Sequence, residues 1–119
     1  MIQEQTIVRM ADNSGGKWGQ CIKVLGGSRK RIARVGDRIV VVVKSVRPGV
    51  GGEGSKAKVK RGGIYHAVVV RTRPDFGENA VVLLNSKKDP MGTRGVGPMS
   101  AGLLRKGWGR VASLAPLLV

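Results

Sequence analysis

The sequence feature that most constrains the fold is a series of short runs rich in β-branched residues, each closed by a turn. The five runs cover residues 6–10, 20–25, 39–43, 64–70 and 79–84. Their length and composition are typical of strands, and no amphipathic helical repeat lies between them. The pattern predicts an all-β fold, namely a small closed five-stranded β-barrel that is OB-like.

A different pattern begins after Pro98. Ser100 is a residue type that caps helices, and Leu103, Leu104 and Arg105 follow it as a short helix. A second helical turn is predicted around Trp108. The chain is therefore interpreted as one domain over residues 1–119, with the barrel in residues 1–97 and a short α-helical segment in residues 98–119.

Alternation along the runs predicts which side chains face the barrel interior. In the second run, Ile22 and Val24 would share one face and Lys23 the other, while Cys21 is expected to be a free thiol in the core. The third run is apolar throughout, which indicates a buried strand. The members of one barrel core are predicted to be Ile22, Val24, Ile39, Val41, Val43, Val68, Val70, Val82 and Leu84.

Charge indicates the kind of partner. Lys and Arg total 22 against 7 Asp and Glu, which gives a net charge of +15. A compact chain with this excess repels itself unless a polyanion neutralises it. An anionic membrane surface and simple solubility are alternatives, but a surface charged for solubility mixes both signs. Nucleic acid is the predicted partner, and no membrane partner is expected.

Aromatic residues are scarce, which bears on the kind of nucleic acid. A protein that binds single strands stacks bases on several aromatic side chains, and this chain has only Trp18, Tyr65, Phe76 and Trp108. The cations are clustered in loops and at strand ends, where long side chains reach phosphates. This combination favours folded RNA recognised through its backbone and shape.

Catalytic and cofactor sites find little support. A single cysteine and a single histidine, Cys21 and His66, cannot form a zinc-ligand set. His66 lies within a strand run, where a buried or flanking position is favoured over a role as a base. Gly49, Gly51 and Gly54 match the dinucleotide-binding spacing, but no helix follows them. We expect no enzyme activity, no metal and no cofactor.

Targeting signals are also absent from the pattern. No apolar run approaches the ~20 residues that span a bilayer. Residues 1–5 have neither the basic start nor the apolar stretch of a signal peptide, and they do not resemble a transit peptide. The expectation is a protein made in its own compartment, or one whose presequence has been removed.

Several segments, in order along nearly the whole chain, resemble one family. Residues 1–6, 11–15, 21–28 and 35–37 resemble the N-terminal half of bacterial-type large-subunit ribosomal protein fourteen. Residues 58–62, 67–72, 82–85, 90–94, 97–98 and 113–116 continue the match. The chain is identified by this resemblance as a member of the bacterial-type or organellar branch.

The resemblance implies a location and partners. Members form a five-stranded barrel bound to large-subunit rRNA, at the face toward the small subunit. They contribute bridges to small-subunit rRNA and lie beside large-subunit ribosomal protein nineteen, with protein three as a second candidate neighbour. They also offer a surface to the ribosome silencing factor. The positions matching that surface are Thr93, Arg94 and Arg110, where the bacterial pattern has Lys at the last.

Two sets of site residues follow. The predicted rRNA-binding residues are Arg9, Asn13, Ser14, Lys23, Arg29, Lys30, Arg31, Arg34, Lys44, Lys56, Lys58, Lys60, Arg61, Arg71, Arg73, Lys87 and Lys88. The predicted residues of the intersubunit and silencing-factor face are Thr93, Arg94, Arg105, Lys106 and Arg110.

Departures from the family pattern indicate that the protein belongs to the ribosome of an organelle. The Gly-rich loop at residues 48–57 is longer than in bacterial members and resembles fungal mitochondrial ones. Only Pro74 and Asp75 remain where the family has a basic hairpin, so the contact made by that hairpin is in doubt. Gly63 replaces the usual Asp, and Gly77 and Glu78 replace a typical Asp-Gly. A mitochondrial ribosome is predicted, with bacterial cytoplasm or plastid as the alternative.

The competing function is a free-standing basic β-barrel that acts as an RNA chaperone. Such a protein would present exposed aromatic residues on a strand face. The strands of this chain instead present Val, Ile and Lys. The ribosomal interpretation is therefore favoured.

Overall fold

A computed structural model describes residues 2–27, 29, 31–46, 59–73, 77–92, 94–95 and 97–119. The strands in these ranges are β1 (Ile7–Met10), β2 (Gly16–Val24), β3 (Arg38–Val46), β4 (Ile64–Arg71), β5 (Ala80–Leu84), β6 (Pro98–Met99) and β7 (Leu117–Leu118). The helices are α1 (Gly102–Arg105) and α2 (Gly109–Ala112). The predicted fold class is confirmed: five strands form a closed barrel, and the helices are short.

The barrel closes between its first and last strands. Successive strands from β1 to β5 pair antiparallel, whereas β1 and β5 pair parallel, with Arg9 opposite Ala80 and Met10 opposite Val81. Closure leaves no unpaired strand edge along the barrel wall. The wall is therefore a rigid support for the loops at its ends.

A bulge in β2 changes which of its residues face inward. Cys21 is opposite Val41, but Lys23 is opposite Val40, so the register shifts by one residue between them. Cys21 is fully buried, whereas Ile22 is 41% exposed. The predicted core position of Ile22 is therefore wrong, because an inserted residue breaks the period of two. The prediction for Cys21 as a free core thiol is confirmed.

The buried apolar residues form two clusters rather than the single predicted core. Inside the barrel, Val24, Ile39, Val41 and Val43 pack as expected. Four other predicted members face outward, into a second cluster with Met99, Leu103 and Val111: these four are Val68, Val70, Val82 and Leu84. Their assignment to the barrel core is wrong, because the C-terminal segment covers the outer faces of β4 and β5.

Strand β3 differs from the fully buried strand that its composition predicts. Ile39, Val41 and Val43 have no exposed surface, while Val40 and Val42 between them are half-buried. Part of the outer face of β3 therefore remains accessible. The strands buried on both faces are β4 and β5, where residues 67–70 and 80–84 are buried without alternation.

The C-terminal segment is attached to the barrel by polar contacts as well as by the second cluster. Trp108 Nε1 donates a hydrogen bond of 2.7 Å to the carbonyl oxygen of Gly36. Gly36 has a φ of 86°, a conformation that favours glycine. At the start of α1, the hydroxyl of Ser100 accepts a 3.2 Å bond from the amide of Gly102, close to its predicted capping role.

Candidate nucleic-acid interface

The acidic side chains of the described residues are mostly engaged with cations of the same chain. The ion pairs join Glu78 to Arg9 and Arg71, Asp37 to Lys106, and Asp89 to Arg110. All of these acids lie on the barrel side of the contact, and two of their partners, Lys106 and Arg110, belong to the C-terminal segment. The remaining cations therefore determine where the chain attracts a polyanion.

The loop between β2 and β3 exposes Arg29, Arg31 and Arg34 on a fixed base. At that base, the amide of Ile2 donates to Ala33 O at 3.0 Å, and the amide of Ala33 donates to Ile2 O at 2.6 Å. Both residues are fully buried. Within the described ranges neither Arg29 nor Arg31 forms an ion pair, so both guanidinium groups are available for phosphate oxygens.

The turn before β4 presents a second exposed pair, Lys60 and Arg61. The amide of Lys60 donates to the Tyr65 hydroxyl at 3.0 Å, and the amide of Gly62 donates to Val43 O at 2.7 Å. These bonds fix the turn to β3 and β4, so its cations project from a defined backbone. On the barrel wall, Lys23 and Lys44 are exposed as well.

The loop after β5 holds Lys87 and Lys88 in solvent. Asn85 organises this loop, because its Oδ1 accepts hydrogen bonds from the amides of Lys87 and Asp89 at 2.9 and 3.0 Å. Lys88 has a φ of 65°, which is rare for a residue with a side chain. Near the other end of β5, Arg73 is exposed and its amide donates to Asn79 Oδ1 at 2.9 Å.

Two residues of the predicted rRNA-binding set lie inside the molecule. Arg71 is 6% exposed, and its guanidinium donates to Pro98 O at 3.0 Å and to Glu78 Oε1 at 2.6 Å. Ser14 is 4% exposed, and its hydroxyl donates to Asp12 Oδ1 at 2.7 Å. Both side chains stabilise the fold, and their burial keeps them from direct contact with rRNA.

Asn13 and Arg94 are linked to each other. The amide of Asn13 donates to Arg94 O, and the amide of Arg94 donates to Asn13 Oδ1, each at 3.1 Å. The neighbouring Gly95 donates its amide to Leu114 O, just after α2, at 2.9 Å. The Arg94 side chain is exposed beside the C-terminal segment. Asn13 therefore positions Arg94 through the backbone.

The remaining cations of the predicted intersubunit face lie on α1, on α2 and between them. Arg105, Lys106 and Arg110 are all exposed. Leu104, at 56%, and Leu117, at 59%, are exposed near them in the chain. This segment therefore presents a mixed apolar and basic surface.

Four predicted site residues lie outside the described ranges, namely Lys30, Lys56, Lys58 and Thr93. Sequence reasoning also missed two exposed or half-exposed groups on the outer wall, Arg38 and His66. Strict alternation from the buried Ile39 would have placed Arg38 outward. For His66, the apolar residues that follow it suggested burial.

Other kinds of site are poorly supported where the structure is described. There, no three His, Cys, Asp or Glu side chains form a group that could hold a metal ion. Nor does any described helix have the length and apolar composition to cross a membrane. Burial raises the pKa of the Cys21 thiol, so this thiol is poorly suited to act as a nucleophile.

The closed barrel, its unpaired loop cations and its short C-terminal helices agree with one family of ribosomal proteins. A family model described as ribosomal protein L14p/L23e matches residues 1–119. The match covers the whole chain, and the chain belongs to this family of structural, rRNA-binding constituents of the large ribosomal subunit.

Proposed function

We propose that this large-subunit protein holds rRNA mainly through the exposed cations of the loop between β2 and β3 and of the turn before β4. We further propose that its C-terminal segment forms part of the intersubunit face. Membership of the family makes the chain a structural constituent of the ribosome that binds rRNA and other ribosomal proteins.

The observation that supports it most is the distribution of paired and unpaired cations. Lys106 and Arg110 of the C-terminal segment already face carboxylates of the barrel. Arg29 and Arg31 have no such partners among the described residues, and their loop is fixed to a rigid wall. Cations without internal partners release the most counterions when they bind phosphates.

Salt dependence tests the first part. A variant with Arg29→Gln, Lys30→Gln and Arg31→Gln should bind a large-subunit rRNA transcript more weakly. Its slope of log K against log salt should decrease by roughly 0.7 to 0.9 for each lost phosphate contact. The matched control is Arg105→Gln, Lys106→Gln and Arg110→Gln, which removes the same charge from the C-terminal segment. Equal slopes for the two variants would contradict the proposal.

The C-terminal face is proposed to contact the small subunit and to bind the ribosome silencing factor. Arg94 and Arg110 supply guanidinium groups for phosphates or carboxylates, and Leu104 and Leu117 supply exposed apolar surface. A partner protein would bury the apolar part, whereas rRNA of the small subunit would engage the cations.

A variant with Thr93→Ala, Arg94→Ala and Arg110→Ala tests this face. It should enter large subunits, because the barrel and its basic loops are unchanged. Those subunits should join small subunits poorly or fail to retain the silencing factor in sedimentation. Normal subunit joining together with normal binding of the silencing factor would contradict the proposed role of this face.

The mitochondrial ribosome remains the proposed location. Its support is the long Gly-rich segment at residues 48–57 and the short connection at Pro74 and Asp75. Tagged protein in fractionated cells should co-sediment with mitochondrial large subunits at high salt. Recovery with bacterial-cytoplasmic or plastid ribosomes would reject this location and retain the ribosomal function.

A further inference from the structure

A cleft of about 580 Å³ lies on the outer wall of the barrel, between the ends of β3, β4 and β5 and the loop that follows β5. Its lining includes Arg38, Ile64, His66, Leu84 and Lys88. The volume is within the range of sites that accept a small organic ligand. None of the described lining residues belongs to the loop between β2 and β3 that we propose for the main rRNA contact.

The strand register explains why these side chains meet. His66 of β4 lies opposite Val40 of β3 on one side and opposite Leu84 of β5 on the other. Ile64 and His66 point away from the barrel interior, because the period of two puts them on the same face. Ile64 is 63% exposed, and His66 is exposed as well. The floor of the cleft is therefore apolar with one accessible imidazole.

The rim of the cleft is cationic. Arg38 begins β3 on the outward face, and its side chain forms no ion pair with any described residue. Lys88 lies in the loop that Asn85 organises, at a φ of 65°. Glycine or asparagine adopts this conformation at less cost than lysine.

We propose that this cleft receives one unpaired nucleotide of the bound rRNA. The base would lie against His66 and Ile64, and the phosphate would contact Arg38 and Lys88. An apolar surface with an aromatic ring suits the face of a base, and stacking of this kind accepts any base. None of the described lining residues is acidic, which favours an anionic ligand. This inference rests on the proposed rRNA binding and adds a contact with a base to contacts with the backbone.

Titration with nucleotides tests the inference in the full-length protein. The probes are AMP and UMP, with ribose 5-phosphate as the control that lacks a base. Ring-current shifts of His66 and Ile64 resonances in NMR spectra should appear with both nucleotides and not with ribose 5-phosphate. Equal shifts with all three probes would reduce the cleft to an anion site and overturn the proposal. No shift with any probe would overturn it as well.

Substitutions distinguish loss of base stacking from loss of folding. His66→Ala should weaken UMP and AMP binding about tenfold, which corresponds to about 1.4 kcal/mol. Ile22→Ala, on the outer face of β2 and outside the cleft, is the matched control and should bind as the wild type does. Lys88→Gly should raise the melting temperature, because it relieves the positive φ, yet weaken binding. Unchanged nucleotide affinity in both His66→Ala and Lys88→Gly would refute the assignment.

Failure of this inference is distinguishable from failure of the proposed function. Wild-type protein that binds the rRNA transcript with the expected salt slope but gives no base-dependent shift would overturn the cleft alone. Protein without salt-dependent rRNA binding would overturn the proposed function, and the inference with it. An acidic peptide that displaces UMP and produces larger shifts would assign the cleft to a protein partner instead.

Discussion

The barrel interior and the cluster beneath the C-terminal segment are both fully apolar, but they are built in different ways. The interior is lined by all five barrel strands, which the parallel pairing of β1 and β5 closes into one wall. The second cluster joins the outer faces of β4 and β5 to Met99, Leu103 and Val111. The barrel strands alone are enough to form the interior cluster, whereas the second cluster forms only when the C-terminal segment packs on an already folded barrel. A substitution that destabilises the interior should therefore disrupt both clusters. A substitution in the second cluster should mainly detach the C-terminal segment from the barrel.

The largest effect is expected from Val41→Asp. Val41 is fully buried in the barrel interior, and an unpaired carboxylate cannot be hydrated there. The substitution should cost several kcal/mol, roughly the range for burying a polar group without a partner. Circular dichroism and hydrogen exchange should show loss of both clusters. A folded variant with a normal melting temperature would contradict the closed apolar interior.

Leu103→Ala is expected to have the next largest effect. Leu103 is fully buried in the second cluster, whereas its neighbour Leu104 is 56% exposed. The first change should lower the free energy of unfolding by about 2 to 5 kcal/mol, and Leu104→Ala, as control, should change it little. Hydrogen exchange should increase first in α1 and α2. If exchange increased equally in β3, the two clusters would form one cooperative unit and the comparison would fail.

Arg71→Ala tests the polar link between the two regions. It would leave the Pro98 carbonyl and the Glu78 carboxylate without the buried guanidinium that both now contact. The expected loss is about 1.5 to 3 kcal/mol, as for hydrogen bonds to charged groups. Arg73→Ala, two residues away and exposed, is the control. Thermal unfolding of the two variants measures the difference, and equal melting temperatures would remove the structural role given to Arg71.

The smallest effect concerns the Cys21 thiol inside the barrel. Burial raises the pKa of Cys21, so the folded state retains its proton at a pH where the unfolded state loses it. The free energy of unfolding should therefore decrease slightly as the pH rises above about 8.5, the ordinary value for cysteine. Denaturant titrations at pH 7 and pH 9 measure this, with Cys21→Ala as the control without the thiol. An equal decrease in both proteins would assign it to other groups.

The fold was predictable from the sequence because each strand is short, β-branched and closed by a turn. The position of each strand was therefore indicated locally. Whether each of its residues faces the barrel interior or the outside was not indicated locally. Ile22 faces outward because of a bulge that no residue type predicts. Val68 faces outward and is still buried, because a distant segment covers that face of the strand. Both depend on tertiary contacts, which alternation along a single run does not contain.

The candidate site shows the same limit. Arg71 and Arg73 belong to one cluster in the sequence, yet the first is enclosed by Glu78 and Pro98 and the second is in solvent. Charge clustering predicts a basic surface correctly as a whole, because most cations must be exposed. It does not identify the few that are neutralised internally. That distinction requires knowing where the scarce acids lie in space.

The pairing of Arg9 with Ala80 also sets an order of events during synthesis. Residues of β1 emerge from the ribosome long before those of β5, and the barrel cannot close until both are available. Until then, β1 to β4 would present an open edge and apolar faces on a strongly cationic nascent chain. Contacts between residues so distant along the chain slow folding and expose aggregation-prone strands. Barrel closure thus waits for the synthesis of β5, and the same cations that attract RNA would keep unfinished chains apart.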